Sequence, residues 1–140
     1  MYVFERKTSM SGQLPLQGLR LLDLASFIAA PLATTVMGNY GAEVIKIEPP
    51  GDGAPQRSSA RPISIPQHPV NYCWHMTNRN KRAIVLDLKT MGGRAAFDRL
   101  VATVDVMVVN FPLKVRERLE MRRCRAPSRR RPGSPSPQGR

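Results

Sequence analysis

The residues best equipped for chemistry in this 140-residue sequence lie in Thr77-Asn78-Arg79-Asn80-Lys81-Arg82-Ala83-Ile84-Val85-Leu86-Asp87-Leu88-Lys89. Three cations and two amides are followed at once by a short apolar run that ends in Asp87 and Lys89. That layout delivers concentrated positive charge to the edge of a buried strand, which suits a polyphosphate better than a generic protein surface. Cations packed this closely repel one another unless an anion screens them. Two screens fit: a ligand phosphate, or a carboxylate of the chain such as Glu48 or Asp87. Lys89 can donate to a phosphate through its ammonium, although a Lys that closes a strand is otherwise simply solvated. Asn110 and Phe111 follow a second apolar run, at the strand end where open α/β sheets place their ligands. Asn110 can hydrogen-bond such a ligand or cap a turn.

The elements that position these residues follow from local pattern. Leu19–Leu24 reads as a short buried strand. Pro31 then opens an apolar, small-residue helix, since a missing N–H costs nothing in the first helical turn. Gly38 and Gly41 are expected to end that helix. Glu43-Val44-Ile45-Lys46-Ile47-Glu48 is a second strand, rich in β-branched residues. Pro49 to Pro69 is a long aperiodic break, dense in Pro, Gly and Ser, with Tyr72 and Trp74 pinning its end to the core. Ala83–Leu88 is a third strand. Thr90 caps a helix over Met91–Thr103, whose inner face is expected to carry Ala95, Ala96, Leu100 and Val101. Val104–Val109 is apolar enough for a strand buried on both faces, and a brief helix follows over Val115–Glu120. The β-α-β-loop-β-α-β order predicts an α/β, Rossmann-like doubly wound parallel sheet with right-handed crossovers.

Composition bounds the rest. Up to residue 111 there are 12 Lys/Arg against 8 Asp/Glu, a net of +4, whereas residues 112–140 hold 10 against 2, a net of +8. The high overall charge therefore belongs mostly to the C-terminal stretch. Residues 121–140, rich in Arg, Pro and Ser, bury too little apolar surface to offset chain entropy and are expected to be disordered. Their bias also matches a coding sequence read out of frame, so a frameshift near Glu120 is an expectation to test by resequencing. Residues 1–14 are expected to be flexible, residues 15–120 to form one partial domain. No apolar run approaches the ~18 residues that span a bilayer, and the N-terminus has no apolar segment of a secretory signal. Two cysteines, Cys73 and Cys124, give no disulfide framework or metal spacing. Together these point to the cytoplasm.

Six segments in order carry a resemblance. They are Leu16–Leu24, Ala30-Pro31, Gly41–Gly51, Asn78–Arg82 with Leu86–Thr90, Asp105–Phe111, and Glu117-Arg118-Leu119. Their sequence and spacing resemble the N-terminal region of class III CoA-transferases, the CaiB/BaiF family, which includes formyl-CoA transferases and acyl-CoA racemases. The resemblance implies a Rossmann-like domain that binds coenzyme A as a substrate, with no metal or redox cofactor. The implied partners are a CoA thioester and a carboxylic acid, in a homodimeric full-length enzyme. By position in the motifs, it implies CoA contacts at Ile28, Ala29, Leu86, Asp87, Leu88, Lys89, Asn110, Phe111 and Arg118. It also implies a nucleophilic aspartate, but no Asp follows Asp105, so no catalytic residue is assigned in this chain. Departures from the family pattern fall at Ala54, where an Asp is usual, at Pro112-Leu113-Lys114, and at Glu120, where a Gly is usual.

Three other readings compete. A nicotinamide-dependent oxidoreductase shares the fold but needs a G-x-G-x-x-G turn after the opening strand, where this chain has Ser26-Phe27-Ile28-Ala29-Ala30-Pro31. The Arg-rich stretch can bind nucleic acid through phosphate alone, without sequence specificity. The chain can also be an inactive fragment, marginally stable because parallel strands need both faces covered.

Overall fold

The computed structural model describes residues 12–58, 69–119 and 121. Four parallel strands, β1 (Arg20–Asp23), β2 (Glu43–Glu48), β3 (Arg82–Val85) and β4 (Val106–Val108), form one sheet in the order β3-β2-β1-β4. Leu22 stands opposite Ile45 on one side and Met107 on the other. The helices are α1 (Ala29–Asn39), α2 (Pro55–Ser58), α3 (Tyr72–Asn78), α4 (Met91–Val101) and α5 (Leu113–Arg118). This is the expected α/β fold.

Strand periodicity sends alternate side chains to opposite faces. Leu22, Leu24, Ile45 and Ile47 pack with Phe97 and Val101 of α4 and with Val104 and Met121. Leu21 and Val44 point the other way, with Ala42, Leu16, Leu19 and Met37. That second face also takes Asp23, Lys46 and Glu48, all buried.

Several boundaries differ from expectation for identifiable reasons. Helix α1 runs through Gly38, and the chain turns at Gly41, where φ is +100°. Thr90 caps α4 as expected, its hydroxyl accepting from Gly93 N at 3.1 Å. The inner face is Phe97 and Val101, however, while Ala95 is exposed and Ala96 and Leu100 are half-buried. Strand β4 is not buried on both faces: Val106 is exposed, and Met107 and Val108 are half-buried. Among the described residues it pairs with β1 alone, so it forms a sheet edge. Strand β3 is the opposite edge and is exposed along its length.

The long break contains the unforeseen α2, and the segment after it contains α3, so Trp74 sits on a helix rather than in a loop. Met121, placed by composition in the disordered stretch, is 6% exposed and belongs to the core. The expectations of flexibility over residues 1–14 and of disorder over residues 121–140 otherwise lie mostly outside the described residues. Among the described residues, no helix is long and apolar enough to cross a membrane.

Candidate functional site

The C-terminal edge of the sheet holds a cavity of about 290 Å³. All four strands lead into it. Leu24, Ala25 and Ser26 follow β1; Ile47 is the last residue but one of β2, with Pro49 and Pro50 just beyond the strand; Leu86 to Lys89 follow β3; Phe111 follows β4. Ala54 and Pro55, at the start of α2, close one wall, and Arg118 and Leu119 close another. The walls are mainly apolar, with Lys89 and Arg118 as the cations. The same two cations, with Leu88 and Leu119, also line an adjoining, more open groove of about 450 Å³ beside Thr90, Met91 and Arg94. Neither Lys89 nor Arg118 is paired with a carboxylate among the described residues. Arg94, by contrast, is held by Asp98 at 3.2 Å and donates to the Leu119 carbonyl. An apolar cleft with unneutralised cations at one side suits a ligand that is part apolar and part anionic.

The structure brings six of the nine sequence-predicted contacts, Leu86, Asp87, Leu88, Lys89, Phe111 and Arg118, to this one cavity. Asp87 also has a local task. Its carboxylate accepts from Lys89 N at 3.0 Å, and its carbonyl accepts from Thr90 N at 3.1 Å, which fixes the turn between β3 and α4. Asn110 is not a wall residue. Its amide donates to Ser26 O and accepts from Ser26 N, both at 2.8 Å, clamping the turn after β1. Ile28 and Ala29 do not line the cavity either; they are exposed at the start of α1, with Ile28 as its N-cap. Between them and Ser26, Phe27 holds a left-handed φ of 63° and is 63% exposed.

The fold separates the clustered cations Arg79, Lys81 and Arg82. Lys81 turns inward, its side chain only 2% exposed. Its ammonium donates to Asp23 Oδ2 at 2.8 Å, Pro31 O at 2.7 Å and Thr77 O at 2.8 Å. Arg82 pairs with Glu43 at 2.9 Å, and Arg79 donates to Met76 O at 2.8 Å. The carboxylates that screen Lys81 and Arg82 are therefore Asp23 and Glu43, neither Glu48 nor Asp87.

Sequence reasoning missed the charges beneath the cavity. Lys46 Nζ donates to Ala25 O at 2.9 Å and lies 3.6 Å from Asp23. Burial lowers the pKa of both Lys46 and Lys81, against the raising effect of Asp23. Glu48 receives both a bidentate Arg57 guanidinium, at 2.8 and 2.9 Å, and Ala54 N at 3.1 Å. The Arg57 hydrogen bond holds the Glu48 carboxyl below its ordinary range, and the same contact raises Arg57. The available signal was Lys46 and Glu48 two residues apart, alternating with the apolar Ile45 and Ile47 of one strand, hence on one face.

Comparison with known proteins agrees with the motif reading. The model of CoA-transferase family III matches residues 16–131, so the match continues past residue 120, where the motif-by-motif resemblance stops. The chain is 38% identical over 99 residues to the succinyl-CoA–L-malate CoA-transferase alpha subunit of Chloroflexus aurantiacus, covering 71% of this chain and 23% of that protein. It is 42% identical over 100 residues to the succinate–glutarate CoA-transferase of Agrobacterium fabrum, covering 69% and 25%. The crystal structure of a CaiB/BaiF family protein from Brucella suis superposes with a TM-score of 0.66 at 35% identity, covering 77% of this chain and 29% of that one. The chain thus spans about a quarter of the length of the relatives it matches. The chain belongs to CoA-transferase family III.

Proposed function

We propose that this chain supplies the coenzyme A-binding part of an enzyme that transfers CoA between an acyl-CoA and a free carboxylic acid. The observation that carries the reading is the convergence of Leu86–Lys89, Phe111 and Arg118 on one cavity at the C-terminal edge of the sheet. Coenzyme A joins an anionic nucleotide to a long pantetheine arm. Lys89 and Arg118 stand where the cavity meets the groove, so the phosphates are assigned to them and the less polar parts to the walls of Leu86, Leu88 and Phe111. Asn110 contributes by holding Ser26 rather than by touching the ligand. Ile28 and Ala29 reach the coenzyme only if it extends beyond the cavity over the start of α1. The whole enzyme is read as a cytoplasmic homodimer, and no catalytic residue is assigned within this chain.

Calorimetric titration of the chain with coenzyme A tests this. Lys89→Ala and Arg118→Ala are each expected to weaken binding by ~1 kcal/mol or more, as loss of a charged hydrogen bond does. Binding unaffected by both substitutions rules the site out.

A further inference from the structure

The Pro49–Arg57 segment walls the cavity yet contributes no cation to it. Pro49, Pro50, Ala54 and Pro55 line the space, and Ala54 is 4% exposed. What holds this wall is one buried carboxylate. Glu48, with a side chain 4% exposed, ends β2 and faces away from α4. Its Oε2 accepts from Ala54 N at 3.1 Å and from Arg57 Nε at 2.9 Å, and its Oε1 accepts from Arg57 Nη2 at 2.8 Å. The Arg57 guanidinium lies 4.1 Å from the ring centre of Trp74, the single tryptophan of the chain. Asn71, the N-cap of α3, donates to the Gln56 and Arg57 carbonyls at 2.9 and 3.2 Å. The turn leaves no slack. Gly53 holds φ +76°, and a Cβ there would lie 2.6 Å from Glu48 Oε2.

We infer that Arg57 is a positioning residue for coenzyme binding. Its two-pronged bond to Glu48 and its stack on Trp74 latch the Ala54–Pro55 wall against the cavity. This rests on the coenzyme reading above and deepens it, because affinity then depends on a side chain that does not itself line the cavity. A planar fork is needed: two parallel N–H bonds and a face on an aromatic ring are available to arginine and not to lysine. The latch also gives the site an optical reporter, since movement of the wall moves the cation stacked on Trp74.

The test is a coenzyme A titration of the whole chain, followed both by heat and by Trp74 fluorescence, with thermal unfolding measured alongside. In the wild type, the two signals should share one midpoint. Arg57→Gln is expected to bind about tenfold more weakly, the scale of a lost charge-assisted hydrogen bond, and to lose most of the fluorescence response. Arg57→Lys, which keeps the charge without the fork, should fall between. Gly53→Ala keeps both side chains of the latch but sets a Cβ 2.6 Å from Glu48 Oε2 and 3.3 Å from Arg57 Cδ, so it should loosen the latch and weaken binding even if Arg57→Gln does not fold. Wild-type affinity in Arg57→Gln, or in Gly53→Ala when only that variant folds, overturns the latch and leaves the coenzyme reading standing. Absence of binding in the wild type overturns that reading, and the latch with it.

Discussion

Asp23→Asn is the substitution that most directly probes the charges under the cavity. The Asp23 side chain has no solvent exposure. Its Oδ2 accepts from Lys81 Nζ at 2.8 Å and Thr34 Oγ1 at 2.9 Å, with Lys46 Nζ at 3.6 Å, and its Oδ1 accepts from Ala25 N at 2.9 Å. Asparagine keeps the shape but turns one of these acceptors into a donor facing donors. It also strands two ammonium groups whose side chains are 2% exposed. Breaking a buried pair from one side costs roughly 3–5 kcal/mol, a large part of a domain's net stability.

The pH dependence follows with a definite sign. Burial already holds Lys46 and Lys81 below the ordinary 10.5, and Asp23 opposes that effect. Removing Asp23 lowers them further. Between the lowered folded value and 10.5 the unfolded chain binds more protons, so stability rises with pH. It rises more in the variant, and the gap to wild type narrows toward alkaline pH. Urea unfolding at about pH 7 and about pH 9.5 measures this. Adding Lys81→Met should restore part of the loss, because one stranded ammonium is then gone. A cost below ~1 kcal/mol at neutral pH, or one equal at both pH values, refutes a buried charge cluster held by Asp23.

Phe27→Gly should stabilise the fold by about 1 kcal/mol net, since relief of the left-handed backbone exceeds the entropy cost of glycine and the ring buries little; a lower unfolding midpoint contradicts this. Gly92 and Gly93 are expected to respond oppositely to alanine. A Cβ at Gly92 meets open space and should add roughly 0.4–1 kcal/mol, whereas at Gly93 it would overlap the Asp87 carbonyl, costing about 1–3 kcal/mol and disturbing the cavity. Denaturant midpoints separate the pair. Glu48, held below its ordinary 4.5 first by the Arg57 hydrogen bond, contributes stability that is present above the unfolded value. That contribution is lost as pH falls from there through the folded value, so Glu48→Gln should flatten the acid limb of the stability curve. An unchanged acid limb counts against the pairing.

Local pattern was enough for the parallel β/α order because each element carries its own signal. Glu43–Glu48 reads as a strand from its β-branched residues, and Thr90 announces α4 through a cap that needs only the next three residues. The position of Leu86–Lys89 and Phe111 at one edge was also legible, since parallel strands all deliver their C-terminal ends to the same side of a sheet, whereas Arg118, on α5, was reached only through motif order. Helix α3 was not legible, because a seven-residue helix following a Pro-rich break offers no periodicity to read. Strand β4 was misjudged as doubly buried because an apolar run records what a strand can bury, not whether it lies at an edge.

The sequence by itself determined the four strands with α1, α4 and α5 in order, the ligand-bearing edge and the family, all of which follow from short-range pattern or from motif order. Only the tertiary structure decided the use of each charge. Lys81, for which a ligand phosphate and a carboxylate of the chain were both open, binds Asp23, 58 positions away, while Lys89 at the cavity has no carboxylate partner among the described residues. Coulombic partnership depends on distance in space, and no local spacing encodes which of several lysines the fold will turn inward.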